Sequence, residues 1–591
     1  MNNKTLKRIV ISVISIFLFT GMYLLMPDFV IYADEENPYS FDRSSLTLYV
    51  GWKSYLSDVK GIGETAEIVY RSDDEEIAFI SDEGEIFPVS VGETTVYADV
   101  TEDDETYTCS MDIKVKDPYS KASASTTGMT LNSSFTFKLK RFGHEEPVFW
   151  ELKGEPLAII EGVTATDCTI RALSPGNIIL TAECGDDSFS FNIKIYNYEG
   201  ELFILTPDSE PYKGYYVKYN TYNKKTKGYY LLRSYLERLN TLKGGVLVLT
   251  KGTYTITNTL CIPSNTTIIL EDGAVIKKTN DTGTSKLTPT ASLFQTVSYT
   301  NAAKEGVCSK YNGEHDIDIV GEGRATIDMN GVDCQGIISC HCKRLTVSGI
   351  TFKNMSAYHF IELDASKDVT ISNNYFFGKT DSTSARKEAI NLDTPDTLTG
   401  GFHQLWTSYD MTPDKNIYIT DNVFCDLNCG VGTHKYTYGS MHENINILRN
   451  TFINCSSYAI RCMNWDTPVI KDNGFINTSS LDFENTTAVT SKTFVPEEQQ
   501  TTIVVNGTIN PLITENRFEN IKTPVSFYHW KNSGYGKDYD PIYNELDSSY
   551  ATALTKNYLV NVTNHYYEFY PIFNDYDEDT LELYAIDAYD E

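Results

Sequence analysis

The chain has 591 residues, with 49 Lys and Arg against 80 Asp and Glu, a formal charge of −31. That length is too great for one ordinary domain, and the acidity excludes the broad basic face that nucleic acid requires. Apolar residues at 41% and charged residues at 22% exclude a mainly disordered chain, while 41 tyrosines favour strands.

At the start, Lys4, Lys7 and Arg8 precede an apolar run over 9–26, and Ile31-Tyr32-Ala33 offers a cleavage site before Asp34-Glu35-Glu36. Residues 1–33 therefore read as a secretory signal peptide. The run, about 18 residues, is also long enough to serve as an N-terminal anchor. Either way the remainder lies outside the cytoplasm, secreted or held at the cell surface. The twelve cysteines are spread widely and form no paired C-x-x-C sets, so they suggest neither a zinc site nor a disulfide scaffold. Their pairing stays open.

Residues 41–117 alternate short β-runs with glycine and acidic turns, the texture of a small sandwich. Ser72-Asp73-Asp74, Ile77-Ala78-Phe79-Ile80, Gly84-Glu85-Ile86, Gly92 and Val96-Tyr97-Ala98 follow in order. This set resembles the bacterial immunoglobulin-like domain, group 2, with Tyr70 where that family often has Trp. Residues 118–197 resemble a degenerate second copy, with Trp150, Arg171-Ala172 and Gly176 before Ile178-Ile179-Leu180. The resemblance implies spacer or adhesive modules that can engage the cell envelope.

After residue 200, Leu231, Leu232, Tyr235, Leu236, Leu239 and Leu242 fall at helical spacing, and Gly244-Gly245 is expected to stop the helix. Val246-Leu247-Val248-Leu249, Gly252-Thr253-Tyr254 and Thr266-Thr267-Ile268-Ile269-Leu270 follow. The pattern resembles the entry to a pectin-lyase-like right-handed parallel β-helix, here placed over 200–574 ahead of an acidic tail, 575–591. An internal repeat supports this without the resemblance. The pattern I-x-x-N-x-F occurs at Ile371/Asn374/Phe376, Ile419/Asn422/Phe424, Ile447/Asn450/Phe452, Ile470/Asn473/Phe475 and Ile513/Asn516/Phe518. Ile and Phe should stack coil on coil, while Asn should occupy a left-handed corner and bond the next Asn. The expected fold class is all-β: a parallel β-helix after two small sandwiches.

Before most corners lies a second strand, at 360–364, 389–393, 431–434, 459–463 and 525–528. Strand alternation sends Ile361/Leu363, Ile390/Leu392 and Ile460/Cys462 inward. It leaves two outward columns: Glu362, Asn391, Gly432, Arg461, Ser526, and Asp364, Asp393, His434, Met463, Tyr528. Adjacent strands lie about 4.8 Å apart, so acids on neighbouring rungs approach the carboxylate pairing of glycosidases and raise each other's pKa. Asp393, Asp364, Glu362 and His434 are the catalytic candidates. Asn391, Arg461, Trp406, His403, Asp410, Lys435, His442 and Trp465 are candidate substrate contacts, because aromatic platforms beside acids suit sugar rings. Glu388 has inward parity but starts its strand, and reads as either a corner residue or an acid.

The favoured function is hydrolysis of a polysaccharide or glycan by a monomer without a cofactor. A polysaccharide lyase is the first alternative, with Ca²⁺ held by Glu362, Asp364, Asn391 and Asp393 and with Arg461 or Lys435 as the base. The second is a surface adhesin that binds glycans without cleaving them. The polygalacturonase signature is absent as a set, and Asn391-Leu392-Asp393 only echoes it, so none of that family's catalytic residues is carried over.

Overall fold

The computed structural model describes residues 37–570 and 582–585, apart from 52, 64, 117–118, 122–125, 142–147, 165, 185–186, 380–387, 400–403, 479–500 and 531–539. The expected signal segment, His403 and all of the acidic tail except 582–585 lie outside the described residues. No helix among the described residues is long and apolar enough to cross a membrane.

Two small β-sheet units come first. In the first, strands Ser45–Tyr49, Glu105–Lys116, Gly92–Glu102 and Glu67–Ser72 form one sheet, Tyr55–Leu56, Glu85–Pro88 and Ala78–Ile80 form a second, and Ser40–Phe41 with Val59–Lys60 adds a short antiparallel pair. The second pairs two four-stranded sheets around Phe137, Ile170, Leu180 and Phe191. The two units share one topological mark. The opening strand of a sheet runs parallel to the last long strand, Ser45–Tyr49 along Glu105–Lys116 and Thr126–Thr130 along Asp187–Tyr196.

The rest is a right-handed parallel β-helix. Three sheets of eleven, ten and eleven described strands run its length, and successive coils pair in parallel. The helix α1 (Lys227–Leu242) covers the first coil with Tyr229, Tyr230, Leu231, Leu232, Leu236 and Leu239 buried. It ends at Lys243, which takes the left-handed position expected of a glycine (φ 72°). At the far end, Glu582–Ala585 adds antiparallel to Tyr566–Tyr570, closing the edge of one sheet.

The I-x-x-N-x-F repeat forms the interior. Phe352, Phe376, Phe424, Phe452, Phe475 and Phe518 stack face to face, neighbouring centroids 4.6–5.1 Å apart. Beside them runs a buried asparagine ladder. Asn422 Oδ1 accepts from Asn374 N (2.9 Å), Asn450 Oδ1 from Asn422 N (2.9 Å), Asn473 Oδ1 from Asn450 N (2.8 Å) and Asn516 Oδ1 from Asn473 N (2.9 Å). Asn557 adds a sixth rung, where Leu559 replaces Phe. The expectation about corners needs correction. The left-handed residue is the one before each ladder Asn, namely Asn373, Asp421, Arg449, Asp472 and Glu515, at φ 55–58°. The ladder Asn stays clear of that region because its side chain must turn inward to bond the next coil.

All twelve cysteines are free thiols, and all but Cys425 are buried.

Candidate functional site

Six strands of one sheet carry the predicted columns: β1 (Ile361–Asp364), β2 (Glu388–Asp393), β3 (Cys429–Gly432), β4 (Tyr458–Met463), β5 (Thr501–Asn506) and β6 (Thr523–Tyr528). Their register sets Glu362 beside Asn391, Asn391 beside Gly432, and Gly432 beside Arg461. Asp364 stands beside Asp393. The β5 strand intervenes before Ser526 and Tyr528, so Val504 and Asn506 occupy rungs between the expected strands at 459–463 and 525–528.

The structure departs from an open cleft. Exposure is 3% at Glu362, 0% at Asp364 and Asn391 and 1% at Asp393, although all four face away from the coil interior. Loops from neighbouring coils cover that outer face. Trp406 packs on Ile338 and Cys340, which head the same two columns one rung before Glu362 and Asp364. Tyr436 packs on Met463. Trp406 and Trp465 are thus packed side chains rather than sugar platforms. Trp406 Nε1 donates to Gln295 Oε1 (3.3 Å), and Trp465 Nε1 donates to Thr433 Oγ1 (2.9 Å) inside the main core.

The other predicted contacts tie loops together. Asp410 Oδ2 accepts from Lys310 N (2.6 Å). Lys435 Nζ donates to the Thr399 carbonyl (2.9 Å). His442 Nδ1 accepts from Asp414 N (3.0 Å) and is itself buried. Arg461 lies over the Trp530 ring at 4.7 Å and donates to Asn506 Oδ1 (3.1 Å).

Within this enclosure, Glu362, Asp364 and Asp393 each bring a carboxylate oxygen within 4.8 Å of the other two. Neither oxygen of Asp364 has a hydrogen-bond partner, nor has Oδ2 of Asp393, while Asp393 Oδ1 accepts from Thr394 N (2.8 Å). Burial drives the Asp364 carboxyl well above its ordinary range, and the like charges of Glu362, Asp393 and Asp414 add to the effect. Burial also raises Asp393, partly offset by His434, the Thr394 amide, Lys435 and His442. Asp414 is raised by burial too, against the pull of His442 and of the Ser366 amide, which donates to its Oδ1 (2.7 Å).

His434 does not continue the Asp364–Asp393 column, because β3 ends at Gly432. The ring turns back, with Nδ1 3.1 Å from Asn391 Oδ1 and 3.3 Å from Glu388 Oε2. Glu388 thus proves to point outward. Each strand begins with a bend at which two successive residues enter the core: Phe360-Ile361, Ala389-Ile390 and Ala459-Ile460. That bend shifts the parity of the residue before it. His359 precedes Phe360 as Glu388 precedes Ala389, so the two histidines flank one carboxylate. Their rings stack with centroids 5.5 Å apart. Burial opposes the charge on Glu388, but His434, His359 and the Tyr458 hydroxyl outweigh it and hold its carboxyl below the ordinary range. Sequence reasoning missed His359 and Asp414. The shared offset of His359 and Glu388 before an apolar pair was the available signal.

The chain is a parallel β-helix protein. No family model matches it. It is 26% identical over 262 residues to the plasmin and fibronectin-binding protein A of Streptococcus pneumoniae, a stretch covering 40% of this chain and 35% of that protein. The chain therefore spans about a third of the curated relative it matches. Among solved structures it is similar to the Streptococcus pneumoniae surface protein and adhesin PfbA, with 20% identity and a TM-score of 0.42, covering 62% of this chain and 91% of that one. It is also similar to the family 28 exopolygalacturonase of Yersinia enterocolitica, with 11% identity and a TM-score of 0.35, covering 73% and 94%.

Proposed function

We propose that this chain is a cell-surface adhesin that binds a host macromolecule without cleaving it. The observation that carries this reading is the enclosure of the acid column: carboxylates at 0–3% exposure present no surface to a glycosidic bond. The partial sequence likeness to a plasmin- and fibronectin-binding protein supports it. In this reading the two N-terminal units are immunoglobulin-like spacers that hold the β-helix away from the envelope. The ligand meets the outer face of the solenoid, as extended repeat surfaces allow.

One observation favours the hydrolase instead. Asp364 and Asp393 share a register position on adjacent strands, and both are shifted toward the protonated form, the condition of a general acid. A cover that opens would make that pair reactive.

The deciding experiment measures binding of the purified chain to immobilised plasmin and fibronectin, alongside product release from a polysaccharide panel. Saturable binding that is unchanged by Asp393→Asn, with no product, is expected. Reducing ends that disappear in Asp393→Asn would establish the hydrolase. A chelator-sensitive product absorbing in the ultraviolet would establish the lyase.

A further inference from the structure

Beside the acid column lies a second cluster, His359, Glu388 and His434. We propose that these three residues bind a divalent transition-metal ion of the zinc class.

The geometry is close to what such an ion needs. One donor atom from each residue lies within 4.8 Å of the other two. Glu388 Oε2 is 3.3 Å from His434 Nδ1. Ligands bound to zinc at about 2.0–2.2 Å stand about 3.3–3.5 Å apart at tetrahedral angles, so this pair already matches one edge. His359 offers its Nε2, because its Nδ1 is the nitrogen that donates to the Glu388 carbonyl.

The donor chemistry points the same way. Two imidazoles and one carboxylate are a zinc-type set, whereas calcium takes oxygen ligands. Glu388 is wholly buried, and no well-aligned donor reaches its Oε2, whose nearest polar neighbour is His434 Nδ1 at 3.3 Å. A buried carboxylate oxygen left in that condition is costly, and a cation between it and the two rings removes the cost. The surroundings orient the donors as outer-shell groups do. The Tyr458 hydroxyl donates to Glu388 Oε1 (2.7 Å), and His359 Nδ1 donates to the Glu388 carbonyl (2.6 Å). Asn391 Oδ1 lies 3.1 Å from His434 Nδ1 and supplies a further oxygen beside the set. The His434 side chain is 20% exposed, which gives an ion its way in.

The test uses the untagged chain, stripped with chelator and titrated with zinc chloride. Bound metal is read by calorimetry and by elemental analysis after dialysis. About one equivalent should remain. Glu388→Gln and His434→Ala should each weaken binding at least tenfold, with circular dichroism showing the fold retained. Asp364→Asn should leave binding unchanged. No retained zinc in the folded parent chain would overturn the assignment. So would a loss confined to Asp364→Asn, which would place the ion among the neighbouring acids.

Discussion

Asp364 and Asp393 face each other across adjacent parallel strands, wholly enclosed, with three of their four carboxylate oxygens lacking a hydrogen-bond donor. A protein interior does not hold two such groups ionised side by side. The register that stacks apolar residues inside the coil forces this pairing outside it. Ile361/Ile390 and Leu363/Leu392 fix the alignment, and the acids alternate with them.

Because the folded-state pKa of Asp364 is raised, its stabilising contribution is fully present below the unfolded carboxylate range. It is lost as pH rises through the folded value. The parent chain should therefore lose stability as pH rises from the ordinary carboxylate range, about pH 4, toward neutrality. Asp364→Asn removes the ionisation, and its new amide can donate to Asp393 Oδ2. Thermal melts across that range should show the variant more stable near neutrality by about 1–3 kcal/mol, with a flatter pH dependence. A variant that melts lower at pH 7 would mean that Asp364 is ionised and paired.

The asparagine ladder gives a second prediction. Asn450 Oδ1 accepts from Asn422 N and Asn422 Nδ2, and its own Nδ2 donates to the Ile419 carbonyl and to Asn473 Oδ1. Asn450→Ala strips acceptors from a buried amide and should cost about 2–4 kcal/mol. Urea unfolding with an unchanged m-value is the measurement. A cost below half a kcal/mol, roughly the scale of a surface change, would show that water replaces the side chain.

Much of this architecture is legible in the sequence, and the limits have physical causes. The repeat is visible because each coil must bury Ile and Phe at fixed offsets, and those residues do stack. The two columns are visible because alternation has a period of two. The β5 strand is hidden because residues 477–500 separate it in the sequence from its own repeat unit, Ile470/Asn473/Phe475. The outward direction of Glu388 is hidden because the strand-start bend breaks alternation. The cover is least legible of all, since nothing local to Trp406 or Tyr436 says which distant rung it packs on.

That cover supplies the last prediction. The loops that leave β2 and β3 are pinned to each other above the acids. Thr437 Oγ1 donates to Asp396 Oδ2 (2.9 Å) and meets Thr394 Oγ1, while Lys435 reaches the Thr399 carbonyl. Asn464 Nδ2 holds the Thr437 and Ser440 carbonyls from below (3.1 and 2.7 Å). Thr437→Val keeps the volume but deletes the hydroxyl, leaving the wholly buried Asp396 without that donor. Amide exchange in β2 and in the 394–399 segment should accelerate about tenfold or more, equivalent to about 1.4 kcal/mol of lost local stability. The adhesin reading further requires that this loosened variant still release no sugar from any polysaccharide in the panel. If turnover instead appears or rises as the pins are cut, the enclosure is a gate rather than a permanent wall, and the Asp364–Asp393 pair is an active site waiting behind it.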